Sequence, residues 1–246
     1  MRLICSDIVS PKPSTSVPYH HGNLRQALID EGRRALEEVG AHELSLRHLA
    51  RAVGVSEAAP SRHFAGKEGL LAAIAADGWR DLAARRGEIQ TSGDTAMTKA
   101  YRMMQAYVEF ARSHKGLFDL MVGPRIVARD SYPELTEEGI KSFRLFAASV
   151  EQAALECDWP QRALTLVTLA AWSMEHGVAT LILSDRVPRP DIPVNIDHMI
   201  HFSISMFLSA VEAGPAHLQN VLNQLPTAGF ASERKSPAKS AKGLAV

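Results

Sequence analysis

The stretch LSLRHLARAVGVSEAAPSRHFAGKEGLL, from Leu44 to Leu71, constrains this chain more than any other, because two short helical runs meet there at a glycine. Ser45 suits an N-cap, and Leu46, Leu49, Ala50 and Val53 follow at helical spacing, which predicts one apolar stripe on a short helix. Gly54 ends it, since the left-handed backbone of a helix terminus is cheap only for glycine, and Val55 fills the angle between two crossing helices. Ser56 caps a second helix, predicted from Glu57 to about Phe64. That helix is too short to be stable alone, so its value lies in what its outer face of Glu57, Ala58, Ser61 and Arg62 touches. Pro60 falls in its first turn or just beyond, where it costs at most about one backbone hydrogen bond and stiffens the start.

Taken alone, a helix, a glycine and a helix also fit a hairpin in an ordinary bundle. Here more residues point one way. Leu49-Ala50, Val53-Gly54-Val55-Ser56, His63-Phe64 and Lys67-Glu68 with Leu70 resemble the DNA-binding signature of tetracycline-repressor-like regulators, in order and spacing. Upstream, Tyr19-His20-His21-Gly22-Asn23-Leu24-Arg25 resembles the leading segment of one branch of that family, so the likeness spans roughly Tyr19 to Trp79. Ser61 stands where the family usually carries an aromatic, and Ala58 where it usually carries Gly or Ser. The resemblance implies an all-α protein with a three-helix DNA-binding head and a larger helical body for ligand binding and dimerisation. The candidate DNA contacts are Ser45, Arg47, Ser56, Glu57, Ala58, Ala59, Ser61, Arg62, His63 and Lys67. Small side chains at Ala58 and Ala59 let backbone approach a groove wall, while Arg62 and His63 offer donors to phosphates or base edges.

With 27 Lys+Arg against 27 Asp+Glu, the formal net charge is zero. A generally basic protein is excluded, so affinity for nucleic acid must come from local placement of charge. From Ser45 to Lys67 the cations Arg47, Arg51, Arg62 and Lys67 face Glu57 alone, with His48 and His63 beside them. Cys5 and Cys157 are far apart and in no metal-ligand spacing, which reads as reduced thiols in the cytoplasm, with neither a metal nor a cofactor. Residues 1–18 carry prolines and only a brief apolar run, so they read as a loose tail without signal peptide or anchor.

Head and body are expected at 19–66 and 67–225. Asn23 or Gly22 opens the first helix, Leu24, Leu28, Ala35, Leu36 and Val39 form its stripe, and Gly40 closes it. Lys67 begins a long helix through Leu70, Leu71, Ile74 and Leu82 to about Ile89, whose free N-terminal amides could also hold a phosphate. After Thr91-Ser92-Gly93-Asp94, one helix carries two apolar faces, Met97, Tyr101, Met104, Val108 and Ala111 on one and Ala100, Met103, Tyr107, Phe110 and His114 on the other. Both faces meet core, or one lines a ligand cavity. Gly116 is expected to end that helix, and Leu117–Met121 to form a short one stopped by Gly123-Pro124. Arg125 to Tyr132 reads as a surface loop or helix fragment. Pro133 starts the next helix, with Leu135, Ile140, Phe143, Phe146 and Val150 as its stripe towards Leu155.

Asp158-Trp159-Pro160 begins a helix in which only Glu175 and His176 are ionisable between Ala163 and Leu183. Its length would span a bilayer, but the Glu-His pair and its small polar residues favour a buried helix away from any membrane. Beyond Pro188, Pro190 and Pro193, Val194 to Val211 repeats the pattern through Ile196, Met199, Ile200, Ile204, Phe207 and Leu208. Two such apolar helices need more partners than one protomer supplies, and a homodimeric four-helix bundle supplies them, a use the resemblance also implies. Trp172-Ser173-Met174-Glu175-His176-Gly177 resembles a Trp and His-Gly signature in the regulatory domain of one branch of the family. Leu218, Val221, Leu222 and Leu225 form a last amphipathic helix, and 226–246, with Arg234, Lys235, Lys239 and Lys242, reads as a solvated tail that could assist DNA binding.

Three functions follow. The leading one is a one-component regulator, a repressor on a double-stranded DNA operator, released by a small, mostly apolar effector bound by Met103, Tyr107, Phe110, Phe118, Met121, Trp172 and His176. The second is an enzyme using Glu175 and His176, but adjacent helix positions point about 100° apart, and no nucleophile, phosphate-loop or metal motif accompanies them. The third is a helical interaction protein that does not bind DNA.

Overall fold

Asn23 opens the first helix, its side-chain oxygen accepting the Gln26 amide at 3.2 Å. From there the computed structural model, which describes residues 23–123, 127–128, 131–184 and 194–225, runs helix to helix. Among those residues are nine α-helices and no strand: α1 Leu24–Glu43, α2 Leu46–Val53, α3 Gly66–Thr91, α4 Ala96–Ser113, α5 Lys115–Val122, α6 Pro133–Glu156, α7 Leu164–Leu183, α8 Ile196–Glu212 and α9 Gly214–Gln224. Tyr19–Gly22, Cys5, Pro124, Arg125, the three prolines 188, 190 and 193, and both expected tails lie outside the described residues. The chain divides into two compact units, Met1–Ala84 with Phe110–Ser142, and Arg85–Glu109 with Phe143–Val246; the divisions fall inside α3, α4 and α6.

In the first unit α1 buries Leu28, Ile29, Gly32, Ala35 and Leu36. Val39, expected on that stripe, is exposed beside the break at Gly40, where φ is 73°, and Leu44 closes the core at this end. α2 buries Leu49 and Ala50, and Gly54 ends it in the left-handed region at φ 78°, its amide reaching back to the carbonyls of Ala50 and Arg51. Gly116 does not end α4 as the sequence suggested. It sits inside α5, where an added Cβ would come within 2.5 Å of the Leu36 carbonyl oxygen, so its place is explained by close packing of α5 on α1. Glu37 seals that contact, its carboxylate accepting the amides of Gly116 at 2.9 Å and Leu117 at 3.1 Å at the open end of α5. Ion pairs tie α1 and the start of α6 to α3: Arg33 to Asp77 and Asp81, and Arg80 to Glu134 and Glu138. In α6, Ile140 and Phe143 are exposed, and so is Leu155, while Leu135, Ser142, Phe146, Ser149 and Val150 are buried. At about 100° per residue, Phe143 flanks the inward face and Ile140 turns well away from it, while Ser142 and Ser149 take inward positions outside the expected stripe.

In the second unit, Ala100, Met103, Met104, Tyr107 and Val108 of α4 are buried, as are Ile200, Ile204, Leu208 and Val211 of α8. Pro160 leads into a short 3-10 turn, Gln161–Ala163, before α7, and Trp159 donates its indole N–H to the Val211 carbonyl at 2.8 Å. The segment Gln161–Leu183 is long and apolar enough to cross a membrane by length and composition, and 28% of its most apolar window is buried. The outward side chains include Leu166, Leu169 and Leu181 on α7 and Phe202 and Met206 on α8, a large apolar surface for a single chain.

Candidate functional site

The segment after Gly54 departs from the expected α-helix. Glu57 to Phe64 is a turn followed by one 3-10 helix, Pro60–Arg62. Ala59 donates to Ser56 O at 2.9 Å, Arg62 to Ala59 O at 3.2 Å and His63 to Pro60 O at 3.0 Å, all three-residue closures. Pro60 explains this: it has no amide to give Ser56, so the four-residue ladder cannot start through it. Pro60 and Phe64 are buried and hold the turn, while Ala58, Ser61, Arg62 and His63 are exposed. Ser61 Oγ donates to the Ala58 carbonyl at 2.7 Å, so at rest its hydroxyl serves the turn. Ser56 is exposed and Ala59 half-buried on the same segment.

Of the cations, Arg47 and Arg51 are exposed on α2 and both meet Glu57. Lys67, in the first turn of α3, donates its ammonium to the His42 carbonyl at the end of α1. The guanidinium of Arg62 makes no hydrogen bond or ion pair with the described residues. Ser45 takes the cap position of α2 with extended backbone, but its side chain makes no capping bond. Arg47, Arg51, Arg62 and His63 are thus all exposed, on α2 and on the turn that follows Gly54, within the unit that holds α1, α2 and the first part of α3.

The residues proposed for the effector divide. Phe110, Phe118 and Met121 belong to the first unit, where Phe110 stacks on His114 with centroids 4.8 Å apart. In the second unit Tyr107, Trp172 and His176 come together, and Met103 is fully buried. Tyr107 Oη and His176 Nδ1 share a hydrogen bond at 2.9 Å, Trp172 stacks on His176 at 5.6 Å, and Phe143 meets Trp172 edge-on at 6.5 Å. Burial lowers the His176 pKa, which favours the neutral ring able both to donate and to accept.

Beneath these rings lies a pair that sequence reading missed. Arg86 Nη2 is 3.2 Å from Glu175 Oε1, with both side chains buried, and the guanidinium lies over the rings of Tyr107, 5.4 Å away, and Phe146, 5.1 Å away. Glu175 Oε2 has no hydrogen-bond partner. Burial pushes the Glu175 carboxyl up to about 8, although Arg86 pulls the other way. Arg86 follows Ala83-Ala84-Arg85 in α3; the signal for it was Glu175 itself, an acid in an apolar helix that needs a cation. Glu175 and His176 point to different partners, so they do not form a side-by-side acid–base pair. Among the described residues no group of acids, histidines or cysteines could hold a metal ion.

Residues 28–74 match the family model described as bacterial regulatory proteins of the tetR family, and residues 100–207 that of the tetracyclin repressor-like C-terminal domain. No curated protein matches the chain. A solved structure of a protein of unknown function from Rhodococcus sp. RHA1 is 31% identical, with a TM-score of 0.65, and the match covers 78% of this chain and 97% of that one. The TetR-family transcriptional regulator PfmR from Thermus thermophilus is 20% identical over 74% of this chain and 97% of its own, with a TM-score of 0.56. The fatty acid degradation regulator FadR from Bacillus halodurans shares 12% identity and a TM-score of 0.60 over 77% of this chain and 96% of its own.

Proposed function

This chain belongs to the TetR-like family of bacterial transcriptional regulators, a family with a DNA-binding helix-turn-helix head, and from that premise we propose that it is a one-component repressor. It acts in the cytoplasm as a homodimer on a palindromic operator, and a small, mostly apolar effector releases it. Residues 19–66 serve DNA and residues 67–225 serve dimerisation and effector binding, and the reading gives the chain no catalytic reaction. The observation that carries it is the exposure of Arg47, Arg51, Arg62 and His63, on α2 and on the turn after Gly54, in a segment matching the model of bacterial regulatory proteins of the tetR family. The operator contacts are then Ser45, Arg47, Ser56, Glu57, Ala58, Ala59, Ser61, Arg62, His63 and Lys67. Dimerisation is supported by the outward Leu166, Phe202 and Met206, 71%, 68% and 59% exposed in the single chain.

Tyr107, Trp172 and His176 support an effector with an apolar body and one polar group for His176 to meet. Met103 completes the proposed lining within this unit; Phe110, Phe118 and Met121, expected from the sequence to line it too, belong to the first unit. An effector changes DNA affinity only as far as it prefers one arrangement of the heads. Arg86 supplies a lever, since it faces Tyr107 and Glu175 and belongs to α3, the helix that begins at Gly66 directly after the recognition turn. The head is tested by Arg62→Ala and Lys67→Ala in gel shifts on a duplex of mixed sequence. Each variant should weaken binding and lower the salt slope by about 0.9, the value of one lost phosphate contact. Unchanged binding in both would show the docking to be wrong.

A further inference from the structure

The two arginines of α2 are not open cations. Arg51 donates from Nε to Glu57 Oε1 at 3.0 Å and adds a second bond from Nη2, while Arg47 Nε lies 3.5 Å from Glu57 Oε2. One carboxylate therefore spans two guanidinium groups, an oxygen for each, and ties α2 to the start of the recognition turn. All three side chains remain accessible: Arg47 is 78% exposed, Arg51 72% and Glu57 44%. Arg51 first and Arg47 second hold the Glu57 carboxyl below its ordinary range, so it is charged wherever DNA is bound. An exposed pair of this kind adds little to the fold and exchanges readily for another anion of similar geometry.

We propose that Glu57 is a specificity-determining residue, an internal stand-in for DNA phosphate that occupies Arg47 and Arg51 and must be displaced before either grips a duplex. The proposal rests on the DNA-binding reading of α2 and the turn after it. On an arbitrary sequence, phosphate merely replaces carboxylate, and the released Glu57 is left facing the negative backbone. It needs a donor, and in the major groove the exocyclic amino groups of cytosine and adenine supply one. Only a site with such a base in place offsets the displacement, so Glu57 restrains non-specific binding more than operator binding.

The test uses the full chain and a duplex of mixed sequence, with affinity measured over a range of salt concentrations. Glu57→Gln should bind this DNA several-fold more tightly, with a salt slope steeper by about 0.9, because one more phosphate is neutralised without a competing charge. In an R47A/R51A background the same substitution should bring little gain, as the two sites are coupled. An equal gain in both backgrounds would mean that Glu57 acts only as a surface negative charge and would overturn the proposal. So would unchanged or weakened binding by Glu57→Gln alone. If R47A/R51A binds as tightly as the unaltered protein, the arginines do not meet phosphate and the docking itself fails; if it binds more weakly while Glu57→Gln brings no gain, the role of Glu57 alone is lost. Thermal melts of each variant establish that the head remains folded.

Discussion

Glu175 shows how a single residue can be legible in type and hidden in role. An acid amid apolar helix residues announces a buried charge, but nothing in the spacing names Arg86, 89 positions away, as its partner. The pair also sets a pH dependence. A carboxyl whose folded pKa lies above its unfolded one stabilises the fold only while protonated, so its contribution is full below about 4.5 and is lost as pH rises to about 8. Glu175→Gln fixes the protonated shape. The melting temperature of the variant minus that of the unaltered protein should therefore rise between these values and level off above them. A difference that is negative and does not change with pH would mean that Glu175 is ionised throughout and that its loss strands Arg86.

At the scale of elements, the helices and their order were legible because apolar residues recur at helical spacing and Asn23, Gly54 and Pro133 punctuate them. Two readings failed where a residue has more than one use. Gly116 reads as a terminator, whereas an added Cβ would strike the Leu36 carbonyl, a contact that depends on which helix packs opposite. Pro60 reads as part of a tolerant first turn, yet it stands too far along for the Ser56 carbonyl to find its amide, and the recognition element shrinks to a 3-10 turn. Pro60→Ala restores that amide and should lengthen the turn into an α-helix from about Glu57 to His63. Backbone chemical shifts over these residues should move towards helical values, and shifts that stay put would show that burial of Phe64, not the missing amide, fixes the turn.

For the whole molecule, the all-α plan and the family follow from motif and periodicity, while the expected effector residues fall in two compact units. An apolar stripe places residues on a helix face, but α4 passes from one compact unit to the other between Glu109 and Phe110, and no local pattern marks that division. The outward apolar residues of α7 and α8 make assembly testable. Phe202→Asp would place a charge in a dry interface and should give a folded monomer by sedimentation, with loss of DNA binding. A variant that remains dimeric would move the interface elsewhere. A dimeric regulator that reads DNA through its paired heads should leave its mark on the duplexes that the protein retains from a random pool. Sequencing them should show enrichment of an inverted repeat whose half-sites lie about one helical turn apart, or a multiple of it; retention of sequences with no repeat, or no enrichment at all, would show that the protein does not read DNA in this way.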